Sequence, residues 1–154
     1  MDDANIPSLL SLPLLGFIEQ DDPIYLATRR KILSAKTNPY FLNGPKFSGI
    51  GGPHQGLKNA WPMSVLVQAL TTDDEAEIIE CLERVKNVSV FGLINESVNV
   101  ETGVDVHSGD GMTRPWFAWA NSVFAEVVLT LAEKRPGLIF GRKGRYVVGE
   151  GWIE

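Results

Sequence analysis

Apolar positions along the 154-residue chain recur with helical spacing in four blocks, separated by stretches rich in glycine and proline. Asp21-Asp22-Pro23 supplies capping carboxylates and a proline suited to a first helical position. Tyr25, Thr28, Ile32 and Leu33 then form one stripe, which predicts a helix to Ser34. Between Asn38 and Gly56 five glycines, three prolines and two asparagines predict a long loop without regular elements. Trp61-Pro62 opens a helix to Leu70 that is apolar almost all round and therefore buried on most sides. Thr72-Asp73-Asp74-Glu75 matches a capping box, with Thr72 as the cap. The helix that follows is amphipathic, with Ile78, Ile79, Leu82 and Val85 on one face. Thr113-Arg114-Pro115 reads as the start of a helix to Lys134, stopped by Arg135-Pro136-Gly137. Trp116, Phe117, Trp119, Val123, Phe124, Val127 and Leu131 make it apolar on nearly every side. Val88 to Val100 has room for one or two short strands. Phe140 to Glu154, with four glycines and no periodicity, reads as an irregular, mobile tail.

Inner helices at 61–70 and 115–134, with an amphipathic one between them, predict an all-α protein of helical hairpins with long polar loops. Two layers of helices fit better than a parallel sheet because no β-branched runs alternate with the helices. The chain is 44% apolar and 21% charged, which fits one globular domain and excludes disorder. A net charge of −5 offers no basic field for phosphates, so nucleic acid is not an expected partner. No apolar run approaches the ~18–20 residues that span a bilayer, so no membrane partner is expected either. No basic, apolar signal peptide is visible near Met1, and the compartment stays open. Cys81 stands alone with only His54 and His107 beside it, so neither a disulfide framework nor a metal site is expected.

Three features carry candidate chemistry. His54 lies in Gly49-Ile50-Gly51-Gly52-Pro53-His54-Gln55-Gly56, where glycines let backbone approach a ligand; the loop lacks phosphate-binding spacings, and a structural turn with an incidental His fits equally. Glu96 is the single carboxylate of an otherwise uncharged Leu93-to-Ser97 stretch, which makes it a candidate for proton transfer as well as a surface Glu. Trp61, Trp116 and Trp119 suit either a core or the apolar faces of sugar rings.

Five ordered motifs together resemble the C-terminal part of glycoside hydrolase family 125, the metal-independent exo-α-1,6-mannosidases. They are Met1-Asp2-Asp3-Ala4-Asn5 with Pro7-Ser8-Leu9-Leu10, Gly49-Ile50-Gly51-Gly52-Pro53-His54, Trp61-Pro62-Met63-Ser64 with Gln68-Ala69-Leu70-Thr71, Asn95-Glu96-Ser97, and Thr113-Arg114-Pro115-Trp116-Phe117-Ala118-Trp119-Ala120-Asn121-Ser122. The resemblance implies a partial (α/α)6 barrel of about five helices over residues 1–139, with 140–154 as the tail. It implies an inverting α-mannosidase needing no cofactor or metal and acting on terminal mannose of glycans, with Glu96 as general base. His54, Trp61, Arg114 and Trp116, with Asp2, Asp3 and Asn5, would line or support the mannose pocket. Arg114 could instead neutralise a buried carboxylate, and Asp2 and Asp3 could simply precede a helix beginning near Pro7. The pattern departs from the family's usual His before the Glu and aromatic after the Ser, having Asn95 and Val98. The family's general acid, an Asp, lies in a portion preceding these motifs. The alternative to an enzyme is thus a truncated, non-catalytic helical remnant, and exposed inner helices would favour self-association.

Overall fold

The structure, a computed structural model, describes residues 1–141. Of the irregular tail expected at 140–154, Phe140 instead ends a short helix, and residues 142–154 lie outside the described residues. Five α-helices are present among the described residues. Helix α1 spans Pro23–Ile32, with Asp22 accepting hydrogen bonds from the backbone N–H groups of Ile24 and Tyr25 at 2.7 and 3.2 Å. Arg29, Arg30 and Lys31 complement the negative end of its dipole. Helix α2, Pro62–Leu70, packs against α3, Glu75–Lys86, on one side and α4, Ala118–Lys134, on the other. A short helix α5 closes the described chain at Pro136–Phe140.

Helix α2 meets its expectation, since all of its residues but Gln68 and Leu70 are buried. The cap of α3 is Asp74 rather than Thr72: its carboxylate accepts from Ala76 N–H at 2.9 Å, while the Thr72 hydroxyl accepts from Asp74 N–H. A carboxylate in that place satisfies an orphan amide and sits favourably at the positive end of the helix. Of the predicted stripe, Ile78 and Val85 are buried, with Cys81, while Ile79 points outward.

Helix α4 differs more. It starts at Ala118, because Thr113 belongs to a strand and Arg114, which precedes Pro115, takes the left-handed φ of 39°. A residue before proline is disfavoured in the helical region, so the Arg-Pro pair ends an extended segment instead of opening a helix. Only Ala120, Val127 and Leu131 of α4 are buried, and Leu129 is 67% exposed; the burial on nearly every side expected of this helix is not met within this chain.

The chain is helix-rich but not all-α. Two small sheets occupy the segments between helices. Strands β1, Phe41–Asn43, and β2, Ser48–Ile50, form an antiparallel hairpin inside the stretch predicted to be loop, pairing Phe41 with Ile50 and Asn43 with Ser48. The glycines there permit close approach: a Cβ at Gly44 would stand 2.3 Å from the Val100 carbonyl oxygen, and one at Gly51 2.4 Å from that of Asn59. Strands β3, Asn59–Ala60, β4, Ser97–Asn99, and β5, Met112–Thr113, form a second antiparallel sheet in that order. Of these, β4 falls in the region allowed for short strands. No helix forms near Pro7. The Asp2 carboxylate accepts instead from the backbone N–H groups of Leu9 and Leu10, at 3.0 and 3.2 Å, and the Tyr25 hydroxyl donates to the Leu10 carbonyl. Burial pushes the Asp2 carboxyl above its ordinary value despite those two amides.

A polar junction ties the first three helices together. Arg29 donates to the Gln68 carbonyl and to the Glu77 carboxylate, 2.9 Å away, and Gln68 donates to the same carboxylate at 2.7 Å. Burial alone would raise the Glu77 carboxyl, but donors from Gln68, Arg29 and Thr72 outweigh it and hold it below the ordinary 4.5. A depressed carboxyl contributes stability that is complete above the unfolded value and disappears as pH falls through the folded one. The wild-type chain should therefore exceed Glu77→Gln in unfolding free energy at pH 7, with the margin shrinking as pH drops below 4.5; urea unfolding across that window reads it. Leu66 lies at the fully buried centre of α2, so Leu66→Ala should cost roughly 2–5 kcal/mol. Leu129→Ala, on the open side of α4, should stay within about 0.5 kcal/mol in the same assay.

Candidate functional site

The second sheet exists to place Glu96. Its own backbone N–H, just before β4, is shared between the carbonyls of Thr113 and Arg114 at 3.1 and 3.2 Å, which clamps it to the end of β5. The side chain is 2% exposed. A carboxylate so far from water must have its oxygens met by donors, and Glu96 draws them from distant parts of the chain. Oε2 accepts from Gln55 Nε2 at 3.1 Å and from the Thr113 hydroxyl at 2.9 Å. Oε1 faces the guanidinium of Arg114, whose Nη1 is 3.5 Å away. Arg114 is 63% exposed and also lies over the Phe117 ring, 5.7 Å from its centroid. It thus does what the second reading of it required, neutralising a buried carboxylate.

Glu96 opens onto a cleft of about 530 Å³ lined by Asn5, His54, Trp61, Arg114, Phe117 and Trp119. Trp61 caps α2 at its N-terminus and is all but buried; its indole N–H is buried too and has no hydrogen-bond partner. Its ring meets Phe117 edge-on, with centroids 6.0 Å apart, and Phe117 meets Trp119 at a tilt. His54 stands exposed in a 3-10 turn over Pro53–Gln55, which also aims Gln55 at Glu96. Asn5 is held by Asp3, whose Oδ1 accepts from its backbone N–H at 2.9 Å and from its amide. The Ala4 N–H donates to the Gly51 carbonyl, strapping the N-terminal segment to the glycine-rich loop.

Of the residues singled out in the sequence, the fold brings Asn5, His54, Trp61, Glu96 and Arg114 to one cleft. Asp2 and Asp3 stay outside its lining, engaged with backbone and with Asn5. Trp116 is also outside it, 71% exposed. Gln55, Thr113 and Phe117 escaped notice as site residues, and Trp119 stood only among the aromatics. Gln55 follows His54 directly, and Thr113 was hidden by its reading as a helix start. Asn95, where the resemblance would put a His, is fully buried and donates to the Val88 carbonyl. Among the described residues no three His, Cys, Asp or Glu side chains cluster as a metal site would need.

A family model described as metal-independent α-mannosidase, glycoside hydrolase family 125, matches residues 1–129. The meiotically up-regulated gene 157 protein of Schizosaccharomyces pombe is 57% identical over 140 residues, which are 90% of this chain and 26% of that protein. A solved Streptococcus pneumoniae structure, titled as a metal-independent α-mannosidase in non-productive substrate complex with α-1,6-mannobiose, is similar with a TM-score of 0.78 and 41% identity. It covers 88% of this chain and 30% of its own. The chain therefore spans about a quarter of the curated relative and under a third of the solved one.

The anchoring of Glu96 has a measurable cost when removed. Glu96→Gln keeps an oxygen for Gln55 and Thr113 and should unfold within about 1 kcal/mol of the wild type. Glu96→Leu orphans both part-buried donors and should cost about 1–3 kcal/mol more by urea unfolding. Equal costs would mean that these hydrogen bonds do not hold the loop.

Proposed function

The chain belongs to glycoside hydrolase family 125, the metal-independent α-mannosidases, and from that premise we propose that its cleft takes a terminal α-1,6-linked mannose, with Glu96 as the general base of an inverting hydrolysis. The observation that carries this reading is the asymmetry of the Glu96 carboxylate. Oε2 is occupied by two neutral donors, whereas Oε1 faces Arg114, which itself lines the cleft. A base needs one oxygen fixed and one able to take a proton from water, and Oε1 is so placed. The Phe117 and Trp119 rings suit the apolar C–H face of a pyranose, and the Trp61 indole beside Phe117 is placed to report a sugar packed on that wall. His54 and Asn5 add polar contacts at the rim. Asp2 and Asp3 act through the strap that positions Asn5, and Trp116 keeps a place only at the outer edge.

Inverting hydrolysis requires a second carboxyl group, ~6.5–9.5 Å from the base, to protonate the leaving oxygen. Among the described residues Glu96 is the one carboxylate in the cleft lining, and the chain corresponds to 30% of the solved relative. These two facts support placing the acid outside the described residues. They also favour a second reading, a family module that binds mannose without turning it over. In either case the five helices form part of an (α/α)6 barrel, with the open side of α4 available for packing against further helices or a second copy.

Titration of α-1,6-mannobiose into the 15N-labelled chain should shift the Trp61 indole resonance, while an α-1,4-linked glucose disaccharide should not. Any mannose released should appear first as the β-anomer in proton NMR, and Glu96→Gln should lower its rate by ~10²–10⁴-fold. An indole resonance that ignores mannobiose overturns the reading; binding without release selects the non-catalytic one.

A further inference from the structure

Behind Glu96 stands a second polar layer that the proposed base chemistry does not itself require. Ser97 and Thr113 are direct cross-strand partners in β4 and β5, and their hydroxyl oxygens are 2.7 Å apart. Ser97 is fully buried. Thr113 Oγ1 is also 2.9 Å from Glu96 Oε2. A hydroxyl has one hydrogen and two lone pairs, while an ionised carboxylate has no hydrogen to give. The Thr113 hydrogen must therefore go to Glu96, and the short contact behind it can be a hydrogen bond only if Ser97 is its donor.

Resting on the reading of Glu96 as a base, we propose that Ser97 and Thr113 form a one-way hydroxyl relay, Ser97 to Thr113 to Glu96 Oε2, that positions the carboxylate. The relay fixes which oxygen is anchored and leaves Oε1 as the proton acceptor. Donation by Ser97 polarises the Thr113 hydroxyl and strengthens its bond to the carboxylate, since hydrogen bonds in series reinforce one another. Gln55 adds an independent donor to the same oxygen from another loop. Thr113 and Ser97 are positioning residues: neither lines the cleft.

The carboxyl 13C resonance of Glu96, assigned by its disappearance in Glu96→Gln, reports its hydrogen bonding without any need for turnover. Thr113→Val, nearly isosteric, should shift that resonance, and Thr113→Ser should return it to the wild-type position. Ser97→Ala should shift it in the same direction by a smaller amount and should add nothing once Thr113→Val is present. An unmoved resonance in Thr113→Val, with the amide spectrum retained, overturns the relay. So does a Ser97→Ala shift that persists in full in the double variant. Should Thr113→Val fail to fold, the Thr113→Ser and Ser97→Ala pair decides: a wild-type resonance in both overturns the proposal, and a shift in Ser97→Ala alone supports it. Mannobiose added to the same samples keeps the two questions apart. A relay signature with no response to the sugar counts against the mannosidase reading alone.

Discussion

The burial of one carboxylate is the constraint on which the rest of this structure depends. Taking Glu96 out of water is unfavourable by several kcal/mol unless its oxygens are matched by donors. The donors come from Gln55 and, across the second sheet, from Thr113 and Arg114. The glycine-rich loop, β4 and β5 must therefore assemble together or not at all. The sheet is too small to be stable by itself, and its Ala60 and Val98 join the buried cluster to which α2 contributes most of its residues. The same assembly decides where α4 can begin. Residues 113–117 serve the sheet and the cleft, so the helix waits until Ala118, and Phe117 at its cap faces both Trp61 and Arg114.

That arrangement explains which parts of the fold were legible in the sequence. Helices α1, α2 and α3 were, because their signals are local: Asp22-Pro23 at a start, an unbroken apolar body, a stripe at three- and four-residue spacing. The β1–β2 hairpin was not, since its glycines read as breakers when their use is to let Val100 and Asn59 approach. The start of α4 was misplaced because Arg-Pro after a threonine looks like a helix opening until β4 is known to pair with Thr113. Asp74 displaced Thr72 as a cap through a one-turn competition between two good capping side chains that no pattern ranks.

The candidate site divides in the same way. Glu96, Trp61, His54, Asn5 and Arg114 were legible through the family resemblance, and the cleft unites them. Gln55 and Thr113 were not, because neither residue type announces a role; each acquires one only through a contact made across 41 and 17 positions of sequence. Asp2 shows the converse case: it belongs to the family pattern, and its carboxylate accepts from the amides of Leu9 and Leu10 and shapes the N-terminal turn, outside the cleft lining.

Holding a carboxylate in place and completing a reaction are separable properties. The donors from Gln55, Thr113 and Arg114 that meet Glu96 lie within the described residues, so its geometry does not depend on where a second carboxyl group resides. The aromatic wall of the cleft is likewise built from α2 and the entry to α4. Membership of the family implies a common ancestry of the fold, while turnover by inversion needs a second carboxyl group at a set distance on the opposite face of the sugar. A buried glutamate is costly unless donors meet its oxygens, and Gln55, Thr113 and Arg114 meet those of Glu96 from the glycine-rich loop and the end of β5.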